Sequence, residues 1–509
     1  PRGAWLAERV WEPELAAVLA EAGIEYVLLD DSHLQQAGLK AGDLHGYWLT
    51  EAQGRKVAVI PSNYFLRQAL PFRAEREGLE FLAAAAERQP DSLLTMGDDL
   101  EKFGSWPHTH QHVYGDGWLQ RFLDGLEARQ DQVTTVRLSD YLDGHAARGL
   151  VYIPSASYPE MMQWAGSHTW RGFLTRYPEA NLLHKTQQEL SRRLEVGGGN
   201  ARARTHLLAA ECNDVYWHGW FGGLYSPHLR QAAFAHLLAA DAAIEKQAPA
   251  ARVRRFDLLC NGSEVVEMRT REIRVVVAPG DGGTVIELDA LAAHANMINS
   301  IQRRPEAYHE EWKQRIAANP AKLPGGAAAP AAELAAELEY DRCAPNGARL
   351  WRRGAADEER YRVVKMRAGL LELAGGGIRR RLRLEDATLT CEISLPAAET
   401  GIQVEWVFNL LAPHAPDRGL LHEGKRLALD WRGELGPQTL ALCDGWRRLH
   451  LALAAPGASH WTVAPRYSLS QSEAGVEALY QGSAVRAHWE GAEKEISVQV
   501  NIFPCSCHF

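Results

Sequence analysis

Apolar and polar positions along the chain fall into three successive regimes. Up to about residue 155, short apolar runs alternate with stretches of helical spacing. Trp5-Leu6-Ala7 leads into Glu8-Arg9-Val10-Trp11, and Pro13 opens a helix through Ala22. Ile24-Glu25-Tyr26-Val27-Leu28-Leu29 reads as a buried strand ending in Asp30-Asp31. Tyr47–Thr50 and Lys56–Ile60 flank a polar turn, as an inserted hairpin does. The pattern then predicts a helix over Glu77–Arg88 and a strand over Ser92–Met96 that ends in Gly97-Asp98-Asp99. A helix over Gly117–Arg129 and a strand over Val133–Val136 follow. Strands that alternate with helices and end in acids predict an α/β fold of the parallel-barrel kind, whose chemistry sits at C-terminal strand ends.

Residues 156–250 carry helical spacing over Glu179–Val196, Ala201–Asn213 and His228–Gln247, with Gly197-Gly198-Gly199 breaking the first pair. From about Phe256 the period changes to two. Arg271–Val277 and Thr284–Leu288 flank the turn-rich Pro279-Gly280-Asp281-Gly282-Gly283. Alternating runs recur at Arg379–Leu384, Thr388–Ile393, Ile402–Phe408, Thr439–Leu442, His460–Val463 and Ile496–Ile502, which predicts a β-sandwich. The expected organisation is an incomplete (β/α)-type barrel over 1–155, a helical region over 156–250 and a C-terminal β-sandwich over 251–509. Ala317–Ala336, rich in Ala, Pro and Gly, reads as an exposed connection.

Composition narrows the function classes. Lys plus Arg number 55 against 64 Asp plus Glu, a formal charge of −9. That balance provides neither a basic surface for nucleic acid nor a polybasic membrane anchor. No apolar run is long enough to span a bilayer and no leader pattern is visible, so no membrane partner is expected. The seven cysteines are irregularly spaced, which argues against a disulfide scaffold and for a reducing, cytoplasmic setting. Cys505-Ser506-Cys507-His508 has no partner cluster and is read as inert. The 16 Trp exceed the 15 Tyr and 12 Phe, and indole faces suit the apolar faces of sugar rings as well as protein cores.

Three segments concentrate chemistry. In Trp5-Leu6-Ala7-Glu8-Arg9-Val10 an acid ends an apolar run beside an arginine, which would hold it ionised as a nucleophile requires. In Gly97-Asp98-Asp99-Leu100-Glu101-Lys102-Phe103-Gly104-Ser105-Trp106-Pro107 three acids fall within four residues, and their repulsion favours a proton on one of them. An ionised and a protonated carboxyl on two strands are the equipment of a retaining glycosidase, although structural carboxylates also sit at strand ends. In Glu211-Cys212-Asn213-Asp214-Val215-Tyr216-Trp217-His218-Gly219-Trp220-Phe221-Gly222-Gly223, aromatic, polar and glycine residues crowd together. Sugar-lining walls look like this, and so does a helix end capped by glycine above a core aromatic cluster. His108-Thr109-His110-Gln111-His112 has metal-ligand spacing but reads as solvated loop histidines. Asn261-Gly262-Ser263 matches an idle glycosylation sequon, and Arg379-Arg380-Arg381-Leu382-Arg383 reads as a solvated strand face.

Together these segments resemble glycoside hydrolase family 57 in its 4-α-glucanotransferase and α-amylase branch. The resemblance places the family's nucleophile on Glu8 and its acid/base on Asp99, with Leu100 standing where glycine is usual. It implies substrate contacts from Trp5, Arg9, Trp106, Asp214, Trp217 and His218, and from Asp31 and His33 in Leu29-Asp30-Asp31-Ser32-His33. The implied substrate is an α-glucan or maltooligosaccharide; no cofactor or metal is called for, and a homo-oligomer stays open. The two catalytic carboxyls are expected about 5–5.5 Å apart, with Trp217 and His218 reaching into their cleft and Trp106 walling its other side.

The family begins with a His-Gln-Pro motif and a further segment that this chain lacks, since it opens at the third motif. On the order of a hundred residues, several barrel units, are therefore expected upstream in a longer protein. The barrel should be open beside Glu8, and these 509 residues alone inactive or insoluble. The leading reading is a retaining 4-α-glucanotransferase. An α-amylase-type hydrolase is the near alternative; a metal-dependent carbohydrate deacetylase and a non-catalytic glucan-binding protein are the more distant ones.

Overall fold

Val27 and Leu29 alternate with Tyr26 and Leu28, and Val57 and Val59 with Ala58 and Ile60. Because strand side chains point to opposite faces in turn, this arrangement builds two apolar surfaces on one sheet. The computed structural model describes residues 2–197, 199–245, 251–318, 338–472 and 475–504. The chain groups into two compact units, Pro1–Arg176 and Tyr177–Phe509. No helix among the described residues is long and apolar enough to cross a membrane.

In the first unit, strands β1 (Gly3–Trp5), β2 (Tyr26–Asp30), β3 (Trp48–Ala52) and β4 (Arg55–Ser62) are hydrogen-bonded in the order β1-β2-β4-β3. β1, β2 and β4 run parallel, and β3 is antiparallel to β4. Val27, Leu29, Val57 and Val59 pack on one face with Trp11, Ala16 and Leu34. Ala58 and Ile60 pack on the other with Tyr47, Leu93 and Tyr141. Helix α1 (Leu15–Glu21) links β1 to β2, and α2 (Asp31–Gln36) follows β2 without a break. After β4 come α3 (Tyr64–Ala69), capped by the Asn63 side chain on the Leu66 amide, then α4 (Glu75–Arg88) and α5 (Trp118–Glu127).

Three local expectations change. The second arm of the expected hairpin is no insertion: β4 pairs with β2 on its far side, and its apolar run Val57–Ile60 needs both faces covered. Ser92–Met96 makes only a parallel bridge, Thr95 to Ser62. There the Ser62 hydroxyl replaces the ladder, donating to the Gly97 carbonyl at 3.1 Å and accepting from its amide at 3.0 Å. Val133–Val136 forms no strand; most of its positions face solvent, so alternation there has no core to serve.

β1 is an edge of this sheet among the described residues, so the arrangement is open on the side from which the chain proceeds to Glu8. The later segment that reaches this end does so through an antiparallel bridge, Trp11 to Ala156, beyond β1.

The second unit begins with helices over Pro178–Val196, Ala201–Ala210 and Pro227–Ile244. Among the described residues an antiparallel five-stranded sheet follows, then a six-stranded and a nine-stranded sheet. These last two share one core, in which Trp406, Trp461 and Val485 meet Leu382, Leu451 and Val500. The expected β-sandwich is this pair. Most of the Ala/Pro/Gly stretch 317–336, and Cys505-Ser506-Cys507-His508, lie outside the described residues.

The arginine run corrects one reading. Ile378–Glu385 alternates strictly, which turns Arg380 inward with Ile378 and Leu382 while Arg379, Arg381 and Arg383 face water. Arg380 donates to the Ala348 carbonyl at 2.8 Å, pairs with Asp357 at 3.4 Å and lies over the Tyr361 ring. Arg380→Met should therefore cost about 1–3 kcal/mol, because it leaves the Ala348 carbonyl without this donor and takes the countercharge from Asp357. Arg379→Gln should stay within about 0.5 kcal/mol. Urea unfolding of the two variants checks the contrast.

Candidate active site

The chain leaves β1 through a turn that amino acids other than glycine rarely adopt. Glu8 (φ 50°) and Arg9 (φ 49°) both lie in the left-handed region, where each such residue costs on the order of 1–3 kcal/mol. Four hydrogen bonds hold them. Within the turn, Arg9 N–H donates to Leu6 at 2.9 Å and Val10 N–H to Ala7 at 3.1 Å. From outside, the Ser157 hydroxyl donates to the Glu8 carbonyl at 2.6 Å and His33 Nε2–H to the Arg9 carbonyl at 2.9 Å. The Trp11–Ala156 bridge is what delivers Ser157 and Tyr158 to this place.

The turn sends the two side chains to different partners. Tyr158 donates its hydroxyl to Glu8 Oε2 at 2.9 Å. The Arg9 guanidinium, expected to hold the Glu8 carboxyl, pairs with Asp30 at 3.0 Å and lies 4.2 Å from the Tyr158 ring centre. Left-handed backbone turns neighbouring side chains apart, so adjacency in sequence does not set the ion pair. Asp30 is wholly buried at the end of β2 and is also faced by Arg67 at 3.7 Å, which reaches Glu160 at 3.6 Å. Burial pushes Asp30 above the usual carboxylate range while Arg9 and Arg67 pull it back.

A second group of acids stands beside this one. Gly97 is pressed against the Trp5 indole: a Cβ there would fall 2.5 Å from Trp5 Cζ3. The close approach requires glycine. Beyond it Asp98 and Asp99 separate. Asp98 pairs with buried Lys102, whose ammonium also donates to the Arg67 carbonyl at 2.6 Å. Asp99 remains exposed, and its carboxyl is shifted upward, first by loss of water around it and then by Asp98, against a downward pull from Arg9. Trp5 is 45% exposed, offering its indole to solvent beside these acids.

Other expected residues have different surroundings. Asp31 is buried and accepts from the Tyr64 amide at 2.9 Å, tying the start of α2 to α3. His33 is buried beneath the Glu8–Arg9 turn. Trp106 is partly exposed and stacked on Phe72, ring centres 6.0 Å apart. Of the loop histidines, His112 donates to the Pro71 carbonyl at 2.9 Å and His110 packs on Tyr114. No group of three or more metal-ligating side chains occurs among the described residues.

In the second unit, Asp214 sits in the short turn Asn213–Val215, with Cys212 Sγ 3.9 Å from its carboxylate. Trp217 is buried, donates its indole N–H to Asn213 at 2.7 Å and meets Phe221 edge-on. His218, also buried, is hydrogen-bonded to the Tyr177 hydroxyl at 2.6 Å, and Tyr177 and Tyr225 both donate to Glu306.

Sequence reasoning missed Asp30, Arg67, Ser157, Tyr158 and Glu160. Ser157 and Tyr158 stand about 150 positions from Glu8 and belong to no local pattern. Lys102 was within reach, since its i+4 spacing from Asp98 signals an ion pair on a helical turn.

Comparisons with known proteins agree along the chain. Residues 1–154 match the family model "Glycosyl hydrolase family 57". Residues 168–244 match "Alpha-amylase/4-alpha-glucanotransferase, middle domain", and 257–347 with 356–502 match the corresponding C-terminal model. An α-amylase of Pyrococcus horikoshii is 39% identical over 60% of this chain and 52% of its own length. An α-amylase of Pyrococcus furiosus is 30% identical over 94% of this chain and 78% of its own. The crystal structure of 4-α-glucanotransferase from Thermococcus litoralis superposes with a TM-score of 0.84 at 26% identity, over 98% of this chain and 81% of that one. The chain spans about half the length of most curated relatives it matches.

The clamp on the turn carries a pH signature. Burial, with Arg9 nearby, depresses His33 from 6.5 to about 4, so the folded chain keeps it neutral while the unfolded chain protonates it near 6.5. Stability from this group is complete above pH 6.5 and is lost as pH falls toward 4, by up to about 3 kcal/mol. His33→Gln, which keeps an N–H donor without titrating, should flatten that part of the stability profile between pH 6.5 and 4. Equal slopes for native and variant chains would exclude the assignment.

Proposed function

Because the chain belongs to glycosyl hydrolase family 57, we propose that it acts as a retaining 4-α-glucanotransferase on α-1,4-glucans and maltooligosaccharides. The observation that carries the reading is the unlike treatment of two carboxyls. Glu8 is held in a strained turn with a hydroxyl donating to it, and hydrogen bonds to a carboxylate favour its charged form. Asp99 is shifted the other way, upward, by loss of water and by Asp98, with Arg9 and Lys102 opposing. A nucleophile must start ionised and an acid protonated.

In the proposed sequence, Glu8 attacks the anomeric carbon while Asp99 gives its proton to the leaving glycosidic oxygen. The glycosyl–Glu8 ester is then opened by an acceptor sugar hydroxyl, whose proton passes to Asp99. Trp5 and Trp106 supply indole faces for sugar rings, and Arg9 supports Glu8 through Asp30 and Tyr158. Asp31 and His33 serve the scaffold that holds the turn. For Asp214, Trp217 and His218 the family likeness proposes sugar contact; an unchanged KM in both Trp217→Phe and His218→Gln would withdraw it. The relatives named α-amylase support a second reading in which water is the acceptor at the same two residues. Maltotriose decides between them: longer maltooligosaccharides with glucose mean transfer, maltose with glucose alone means hydrolysis.

Glu8→Ala should lose activity by on the order of 10⁴ or more, and azide should rescue it as a glycosyl azide of inverted anomeric configuration. Asp99→Asn should lower kcat on maltotriose by about 10²–10⁴, and much less on an aryl glycoside whose leaving group needs no proton. Rescue of the Asp99 variant, and not the Glu8 variant, to the inverted azide would exchange the two roles.

Asp98 raises Asp99 by repulsion, so removing its charge should lower Asp99. Since the first step needs protonated Asp99, Asp98→Asn should move the alkaline limb of the kcat/KM profile to lower pH. An alkaline limb that stays in place would take Asp99 out of the acid role.

A further inference from the structure

In the nine-stranded sheet, strands Leu440–Asp444 and Leu449–Ala454 are joined by Gly445-Trp446-Arg447-Arg448. The tip exposes 63% of Trp446, a residue type that folding usually covers. The hairpin around it is rigidly built. Asp444, wholly buried, accepts from the Arg447 amide at 3.1 Å and from Arg447 Nη1 at 2.5 Å. Arg418, opposite Asp444 on the neighbouring strand, pairs with the same carboxylate at 3.5 Å. Gly445 N–H donates to the Asp417 carbonyl at 2.7 Å.

Both guanidiniums lie against the indole, with their central carbons 5.1 Å (Arg418) and 4.6 Å (Arg447) from its ring centre. Both are anchored on one buried carboxylate, so the support they give the ring is fixed. An indole covered on both faces would show solvent only its edge, which is incompatible with the exposure observed. Cation–π contact and the turn hydrogen bonds thus hold one indole face outward before any ligand arrives, so little ordering cost remains at binding.

An isolated flat apolar face with a charged rim suits a sugar better than a protein. A stable protein interface buries roughly 800 Å² on each partner around a contiguous apolar centre, whereas this ring lies against the guanidiniums of Arg418 and Arg447. A pyranose presents C–H groups on its face and hydroxyls at its edge. The C–H face fits the indole, and the same hairpin carries exposed Arg448, with Asp417, whose carbonyl holds Gly445, as further polar groups for hydroxyls.

We propose that Trp446 is a glucan-stacking platform of the β-sandwich, taking a pyranose ring of an α-glucan chain and needing neither Glu8 nor Asp99 to do so. The choice of α-glucan rests on the function proposed above; the platform rests on the hairpin.

Native gel electrophoresis of the full chain through amylose, with maltoheptaose as competitor, tests this. The native and Glu8→Gln chains should be retarded alike. Trp446→Ala should weaken apparent binding roughly five- to ten-fold, the loss of one aromatic stacking contact, with its thermal midpoint unchanged, and Trp446→Phe should restore part. Trp446-dependent retardation in a chain that turns over no maltotriose sustains the platform while rejecting the catalytic reading. Retardation of Trp446→Ala equal to native, or none by the native chain, overturns the platform. So does a variant whose sedimenting mass changes while its glucan binding does not, because Trp446 would then serve a second copy of the chain.

Discussion

The ion pair between Arg9 and Asp30 is the constraint on which the rest of the first unit's chemistry depends. A wholly buried carboxylate is tolerated only when cations and donors compensate it. Asp30 draws in Arg9 from the end of β1 and Arg67 from α3. The left-handed backbone at Glu8 and Arg9 lets Arg9 reach Asp30 while the Glu8 side chain leaves in another direction. There it meets Tyr158, whose ring also faces the Arg9 guanidinium. One buried charge at the end of β2 is thus linked, through Arg9 and Tyr158, to the carboxylate at the end of β1.

The strain this creates is met locally. A hydrogen bond contributes about 0.5–1.5 kcal/mol net, so the Ser157 and His33 clamps are of the same order as the cost of the turn they hold. Strain held by surrounding contacts is a recurrent feature of functional sites, because it fixes a side chain before a ligand is present. The neighbouring acids follow the same logic by other means. Lys102 pairs with Asp98 and fixes its charge in place, and that charge together with partial loss of water moves the Asp99 carboxyl upward against the pull of Arg9 and Lys102.

The second unit uses rigidity differently. Its sheets pack an apolar core between them, and Arg380 enters from one of them paired with Asp357. At the Trp446 hairpin a buried carboxylate again organises two arginines, this time to hold an aromatic ring outward. Both units place one buried acid at a strand end with two arginines paired to it.

Much of this organisation is legible in the residues themselves. Runs such as Val57–Ile60 and Ile378–Glu385 announce their strands because burial of one or both faces imposes a period that sequence displays. Glu8, Asp98 and Asp99 could be singled out because acids that end apolar runs fall at strand ends. What the chain order does not contain is the partner of each charge. Arg9 is adjacent to Glu8 and yet belongs to Asp30; Ser157 and Tyr158 act on Glu8 from about 150 residues away; Arg380 faces inward while the arginines on either side face water. Periodicity reports which side of an element is covered, a local property of the backbone. Pairing of buried charges depends on which strand ends lie side by side and where a strained backbone aims a side chain, and those are decided only when the elements pack.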